Sequence, residues 1–204
     1  MSMNKNLTFL IQRLNHFKTL GPLIDEAMGQ GLKVNLILFQ YQQNSIADEM
    51  FGGTLSKDNL PTFKYGKPNI FYISEFADLA NTVIKIKTDV FIQHQGIRIQ
   101  KEIPELIFEH YKISSNQIIR VAIMSHFYDN CYENLDFYKS FDKCFILSQY
   151  SFDIHKKILE TYSNFEKKEI NDVFNKKVSI TGSALFDNFI DVYDYRKNNN
   201  IVKK

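Results

Sequence analysis

The chain has 204 residues, which suits one large domain and is enough to bury a sizeable core. Its 25 basic and 23 acidic residues give a net charge of +2 and are interspersed except near the C-terminus, which argues against a nucleic-acid groove. No apolar run approaches the ~20 residues that a membrane-spanning helix needs, and no apolar signal core precedes Leu7. We therefore expect a cytoplasmic protein.

The first forty residues predict a strand, a helix and a second strand. Residues 7–11 are a short apolar run that favours a β-strand, and the polar turn 12–16 follows it. Over residues 20–28 the apolar positions recur every three or four residues, which is the spacing of one helical face. Residues 33–39 predict the next strand, so this segment is a βαβ unit with a parallel pair and a right-handed crossover.

Proline and glycine residues set the expected ends of this helix. Pro22 fits only if it lies in the first turn, because proline has no backbone N–H to donate to the preceding turn. Gly29 or Gly31 is expected to end the helix. Ligands of parallel sheets sit beyond the carboxyl ends of the strands, so the loop at 12–18 lies where a ligand is expected to bind.

The rest of the chain continues as alternating strands and helices after an irregular surface excursion at 42–67. The further predicted elements are a strand at 69–73, a helix capped by Ser74 with apolar residues up to Ile84, a strand at 89–92, a short helix at 104–111, a strand at 118–124, a helix or irregular turn at 134–141, a strand at 143–147, a helix capped by Ser151 that runs to about Phe165, and a strand at 177–181.

About seven strands result, and most of them are continuously apolar. Strands of this kind are buried on both faces, so the sequence predicts an α/β fold: a Rossmann-like, doubly wound parallel sheet with helices on both faces. Residues 1–194 are expected to form this domain. Residues 195–204 are polar and charged without periodicity, which indicates a linker-like tail.

Polar residues follow the carboxyl ends of five predicted strands, and these ends share one edge of a parallel sheet. Three of the five histidines lie among them, and histidine is the side chain best suited to proton transfer near neutral pH. The residues of this set are Asn15, His16, Gln93, His94, Gln95, Ser125, His126, Tyr128, Ser148, Gln149, Gly182 and Ser183.

Each of these positions also has a purely structural interpretation. His16 can act as a base or bind an acceptor beside a helix N-terminus, or it can be a solvated loop residue that packs locally. His126 can orient a base or bond a sugar hydroxyl, or it can be satisfied by loop backbone. The loop at 93–96 can bind polar ligand groups, although a plain turn has the same composition.

Several familiar sequence signatures are missing. There is no G-x-G-x-x-G, P-loop, HExxH or G-x-S-x-G motif, which removes the simplest dinucleotide, nucleotide-hydrolase, zinc-protease and α/β-hydrolase interpretations. Cys131 and Cys144 form no CxxC pair and have no histidine at metal spacing, so we expect buried thiols and no metal site. Gly182-Ser183 precedes a predicted helix, where free N–H groups favour a phosphate or carboxylate.

Three segments resemble the GT-B glycosyltransferases. Residues 17–27, which follow the His16 turn and lead into Gly31-Leu32-Lys33-Val34, look like the start of such an enzyme. Residues 178–187 are similar to the V-x-x-T-G-x-x-x-F-D segment of polysaccharide-forming members, notably the CDP-glycerol glycerophosphotransferase group. Residues 123–128 resemble the strand that ends in a histidine loop facing the interdomain cleft.

The resemblance implies the N-terminal, acceptor-side half of a transferase of cell-surface or capsule polysaccharide synthesis. A missing C-terminal domain would bind most of the nucleotide-activated donor, which is a substrate, and no cofactor or metal is expected. The full enzyme would bind a small-molecule or saccharide acceptor and no nucleic acid, and could associate peripherally with a membrane; this half alone would be inactive. The implied catalytic residues are His16 and His126, and the implied substrate-binding residues are Asn15, Thr19, Gln95, Ser125, Tyr128, Ser148, Gly182 and Ser183.

Two other functions fit the same predicted topology. A nucleotide-sugar 2-epimerase related to the UDP-N-acetylglucosamine 2-epimerases shares the two-domain plan, and it would release free nucleotide without an acceptor. A stand-alone, non-enzymatic Rossmann-like module would bind a small ligand as it stands. A reading frame that continues past Lys204 for roughly another domain of about 150 to 200 residues would favour either enzyme.

Overall fold

A computed structural model of the protein describes residues 5–39, 55–94, 118–124 and 135–182. The strands among these residues are β1 (Asn6–Ile11), β2 (Lys33–Phe39), β3 (Asn69–Ile73), β4 (Val90–His94), β5 (Ile119–Met124), β6 (Lys143–Ile146) and β7 (Val178–Ile180). The helices are α1 (His16–Gly29), α2 (Phe76–Lys85), α3 (Leu135–Ser140), α4 (Gln149–Tyr162) and α5 (Lys167–Lys177), with a 3-10 turn at Lys57–Asn59.

All seven strands form one parallel sheet in the order β3-β2-β1-β4-β5-β6-β7. The chain first adds strands on one side of β1 and then returns to place β4 on its other side. Such a reversal is the topological switch point of a doubly wound sheet. The predicted Rossmann-like parallel fold is therefore confirmed, and β1 and β4 are the strands that flank the switch point.

Helices cover both faces of this sheet. Phe9 and Ile11 of β1 pack in a core cluster with residues of α1, whereas Leu10 packs with residues of α2. Neighbouring strand residues point to opposite faces, so α1 and α2 lie on opposite sides of the sheet. A third cluster packs α3, α4 and α5 against β5 and β6, and it includes the buried Cys144, as the sequence predicts.

The helix α1 differs from its prediction at the start and agrees with it at the end. It begins at His16, so Pro22 is its seventh residue and lies beyond the first turn, contrary to expectation. Burial of the apolar face that includes Leu20 and Ile24 compensates for the missing Pro22 hydrogen bond. Gly31 has a φ of +74°, and its N–H donates to the carbonyl of Met28 at 2.9 Å, as in a Schellman turn.

The predicted helix from Ser151 to about Phe165 was wrong in three respects. Ser148 is the residue that caps α4, because its Oγ accepts from the N–H of Ser151 at 3.2 Å. The helix ends at Tyr162, and a separate helix, α5, follows it. The buried Ile170 and Phe174 and the partly buried Val173 anchor α5, and three apolar residues among many charges gave too weak a helical pattern to detect.

Ser74 does not cap α2, because Glu75 occupies the N-cap position without a side-chain bond there.

The predicted helix at 104–111, the tail at 195–204 and Cys131 lie outside the described residues. Within the described ranges, no helix is both long enough and apolar enough to cross a bilayer.

Polar groups where the strands begin are paired inside the protein, and we call this region the amino edge. The carboxylate of Asp89 accepts from the N–H of Asn6 at 2.7 Å. The carboxylate of Asp142 accepts from the N–H of Arg120 at 2.8 Å and lies 3.8 Å from the guanidinium Nε of the same residue. In each case an aspartate just before one strand binds the first backbone donors of its neighbour, which fixes the relative start of the two strands.

Three further hydrogen bonds belong to the amino edge. The buried hydroxyls of Thr8 and Thr88 lie 2.8 Å apart and share one hydrogen bond. The ammonium of Lys177 donates to the carbonyls of Lys139 and Phe141 at 2.5 and 2.7 Å, near the end of α3. Burial lowers the pKa of Lys177, while the nearby Asp142 carboxylate acts in the opposite direction.

Candidate functional site

A pair of buried histidines lies at the switch point. His16 is the first residue of α1 and is 2% exposed, and His94 is the last residue of β4 and is 6% exposed. Their ring centroids are 4.6 Å apart with 23° between the planes, so the rings are stacked. The fold therefore brings together two residues that the sequence places in separate loops, and it buries both where a ligand of such a sheet is expected.

The β1–α1 turn determines which ring nitrogen of neutral His16 carries the proton. The backbone N–H of Gln12 donates to Nδ1 of His16 at 3.4 Å. A ring nitrogen that accepts a hydrogen bond carries no proton, so in the neutral ring the proton is on Nε2. The neutral His16 ring therefore has its hydrogen-bond donor at Nε2, whereas the sequence left open a role as base.

Asn15 occupies the N-cap position of α1 but its side chain does not cap the helix. The N–H groups of His16 and Phe17 instead donate to the carbonyls of Arg13 and Leu14, both at 3.1 Å. The buried Oδ1 of Asn15 has no hydrogen-bond partner among the described residues. An N-cap asparagine normally accepts from the first turn, so this oxygen is available for a different donor.

Two buried glutamines are close to these histidines in the chain: Gln12 is four residues before His16, and Gln93 directly precedes His94. Gln12 is 6% exposed and Gln93 is 1% exposed. Within the described ranges, Nε2 of Gln12 and Oε1 of Gln93 have no hydrogen-bond partner. Leaving a buried polar atom unpaired costs about 1–3 kcal/mol, so folding alone does not account for these amides. We call Gln12, Asn15, His16, Gln93 and His94 the switch-point cluster.

A cavity of about 500 Å³ lies along α1 on the same side of the sheet as His94, and its walls are mostly apolar. Thr19, one helical turn after His16, lines this cavity, and so does Gly182. The structure therefore brings two of the predicted binding residues to one cavity, whose α1 wall begins one turn from the histidine pair. Pockets of this volume are of the size that binds small molecules.

The chain was compared with known proteins. No protein-family model matches it, and no curated protein sequence matches it. Among solved structures, it is similar to the 2.2 Å crystal structure of a putative UDP-N-acetylglucosamine 2-epimerase from Listeria monocytogenes, with a TM-score of 0.46 and 11% sequence identity. The match covers 85% of this chain and 48% of that one, so the chain spans about half the length of that protein.

Ser148 and Gly182 have local structural roles where the sequence predicts binding. The hydroxyl of Ser148 caps α4 and lies 3.1 Å from the hydroxyl of Ser151. Gly182 has a φ of +78°, a left-handed conformation that residues with a Cβ rarely adopt, so glycine is required for the turn after β7. Ligand binding by either residue stays a prediction.

Half of the predicted site cannot be placed in this structure. The predicted residues that lie outside the described ranges are Gln95, Ser125, His126, Tyr128 and Ser183. Across the described ranges, no group of three or more His, Cys, Asp or Glu side chains is placed to hold a metal ion.

The sequence did not reveal that four polar residues near the switch point are buried. The sequence interpretation treated Gln93 and His94 as the start of a loop, whereas β4 continues through both and buries them. It treated Gln12 and Arg13 as turn residues, but both are only 6% exposed. The available signal was the unusual density of large polar side chains at the ends of two strands that a doubly wound order places side by side.

Proposed function

We propose that this chain is the N-terminal, acceptor-side half of a GT-B-type enzyme that acts on a nucleotide-activated sugar or polyol phosphate in cell-surface polysaccharide synthesis. The observation that carries the proposal is the buried stack of His16 and His94 at the switch point. Ligands of open parallel sheets bind there, and buried histidines at such a point suit proton transfer. The resemblance of residues 17–27 and 178–187 to GT-B enzymes supports the enzyme class.

His16 has the clearest chemical role in this proposal. Its Nδ1 accepts from the Gln12 N–H, so the neutral ring carries its proton on Nε2. We infer that Nε2–H donates to an oxygen that gains negative charge as the nucleotide leaves. The stacked ring of His94 fixes the orientation of the His16 ring. A base that takes the acceptor proton is also required, and His126 remains the sequence-based prediction for it.

The donor would be bound by a second Rossmann-like domain facing the carboxyl edge of this sheet. In that arrangement the cleft has this chain on one wall, and the reacting atoms lie between the two domains. We therefore expect the acceptor to bind at the switch-point cluster and this chain alone to have no transfer activity.

The proposal is tested by turnover of UDP- and CDP-activated donors in a protein that joins this chain to a donor-binding domain. Release of nucleotide that requires an acceptor supports a transferase. Release of free nucleotide without an acceptor indicates an epimerase instead. The absence of turnover with either donor class, in a folded two-domain protein, contradicts the proposal.

The variant His16→Phe separates stacking from proton donation, because phenylalanine keeps an aromatic ring against His94 but has no N–H. We expect kcat to fall about 10²-fold or more while the fold is retained. The control is Tyr162→Phe, since Tyr162 is 78% exposed on α4 and its hydroxyl is remote from the site. Equal kcat values for the two variants would remove His16 from the mechanism.

A further inference from the structure

We propose that Gln12 and Gln93 form a subsite for the hydroxyl groups of a polyhydroxylated ligand, either a sugar ring or an open-chain polyol. The inference rests on the proposed function, because it names the chemical class of acceptor that the switch-point cluster binds. The sequence analysis did not assign Gln12 to the site, and it named Gln93 only as part of the loop at 93–96.

Burial is the first observation that supports this subsite. Gln93 is 1% exposed and Gln12 is 6% exposed, yet Oε1 of Gln93 and Nε2 of Gln12 have no hydrogen-bond partner within the described part of the chain. Native proteins pair nearly all such atoms, and the exceptions call for a specific explanation. A ligand that supplies the missing partners is an explanation consistent with the position of both residues at the switch point.

Register brings the two amides close enough for one small ligand. Gln93 is paired with Leu10 across the β1–β4 boundary, and Gln12 lies two residues beyond Leu10. A rise of ~3.3 Å per residue and a strand spacing of ~4.8 Å place the two Cα atoms ~8 Å apart. At that separation, one small molecule with a few carbon atoms and several hydroxyls is within reach of both glutamine side chains.

The polarity of the unpaired atoms selects hydroxyl groups over an anion. Oε1 of Gln93 accepts hydrogen bonds, and Nε2 of Gln12 donates them. A phosphate or carboxylate would suit Gln12 but would face the oxygen of Gln93 without a proton to offer. A hydroxyl group both donates and accepts, so a diol or triol satisfies both amides. The buried Oδ1 of Asn15 is a third atom that a hydroxyl can satisfy.

The inference is tested by saturation-transfer NMR on the 204-residue chain with four separate probes: glycerol, ribitol, glucose and N-acetylglucosamine. We expect at least one probe to bind in the millimolar range that is ordinary for small neutral ligands. Binding of the open-chain probes alone indicates a polyol acceptor, and binding of the ring probes alone indicates a sugar; either outcome supports the subsite. The absence of binding by all four neutral probes would overturn it.

Two variants and one control locate the binding. Gln93→Met and Gln12→Met remove an amide with little change in side-chain volume, and each is expected to weaken probe binding about tenfold or more. Gln30→Met is the matched control, because Gln30 is exposed and its amide already bonds to Glu26 at 2.7 Å. Unchanged binding in both site variants, with the folded state verified by circular dichroism, would overturn the inference.

The outcomes also separate this inference from the proposed function. Probe binding that is lost in Gln93→Met, together with no nucleotide-donor turnover in the two-domain protein, supports the subsite and contradicts the proposed enzyme. Turnover without any effect of Gln93→Met or Gln12→Met on acceptor KM supports the enzyme and contradicts the subsite.

Discussion

The two edges of the sheet differ in how their polar groups are paired. At the amino edge, the carboxylates of Asp89 and Asp142 and the buried Thr8–Thr88 pair are bonded to groups of neighbouring strands within the protein. At the carboxyl edge, the amides of Gln12 and Gln93 keep atoms without partners among the described residues. Both edges belong to one sheet and are built by the same strands.

This difference distinguishes polar groups that stabilise the fold from polar groups that are candidates for binding a ligand. A buried polar group that is paired inside the protein stabilises the fold or leaves it nearly unchanged, whereas an unpaired group lowers stability until a ligand supplies the partner. Native sequences break the rule of satisfied polar groups mainly at functional sites. The amino edge therefore holds the strands in register, and we propose that the switch-point cluster binds a ligand.

The largest expected effect of breaking the amino edge comes from Asp142→Ala. The change removes the acceptor of the Arg120 N–H and the carboxylate beside its guanidinium, so we expect a loss of about 1–3 kcal/mol in the free energy of unfolding. Urea denaturation measures it. Asp153→Ala is the control, because Asp153 bonds only to the exposed Gln149 in the described structure and should change stability by less than about 0.5 kcal/mol. Equal losses would show that the amino edge is not special.

A smaller effect is expected from the threonine pair. Thr88→Val leaves the buried hydroxyl of Thr8 unpaired and should cost about 1–2 kcal/mol. The double variant Thr8→Val with Thr88→Val removes both hydroxyls and should be more stable than the sum of the two single losses implies. A double-mutant cycle in urea gives the coupling energy, and simple additivity would mean that the two hydroxyls do not interact.

The smallest effect concerns pH. Burial lowers the pKa of Lys177 in the folded protein, so between that value and its ordinary pKa the unfolded chain holds the proton more tightly. The free energy of unfolding of the wild type should therefore rise with pH across this alkaline window, and Lys177→Met should lack that rise. Urea unfolding of both proteins at a series of alkaline pH values measures the difference, and parallel pH profiles would contradict the assignment.

The sequence predicted the sheet well because its strands are marked by local composition. Residues 33–39 and 69–73 are strands with the predicted bounds, since each is a β-favouring run, mostly apolar, flanked by glycine, proline or polar residues. The helix α5 escaped prediction because only Ile170, Val173 and Phe174 mark the face that packs on the core. Local patterns of this kind succeed where burial is extensive and fail where a few side chains provide the anchor.

The candidate site was predicted only in part, for a physical reason. His16 and Asn15 were assigned from their place after the first strand, and the structure puts both at the switch point. The partners on β4, Gln93 and His94, follow far later in the chain, and their contact with the β1–α1 turn depends on the reversal of strand order. A polar composition does not reveal whether a side chain is solvated in a loop or buried in a strand.

The free energy of unfolding of Gln93→Met shows most directly whether the buried amide of Gln93 serves a ligand. Methionine fills the same space without the unpaired oxygen, so we predict that this variant is about 1 kcal/mol more stable than the wild type in urea and no longer binds the polyol and sugar probes. A variant that is less stable by a similar amount would show that the amide is bonded within the protein. The polar groups of the carboxyl edge would then be paired within the protein like those of the amino edge, and a ligand site would have to be sought elsewhere.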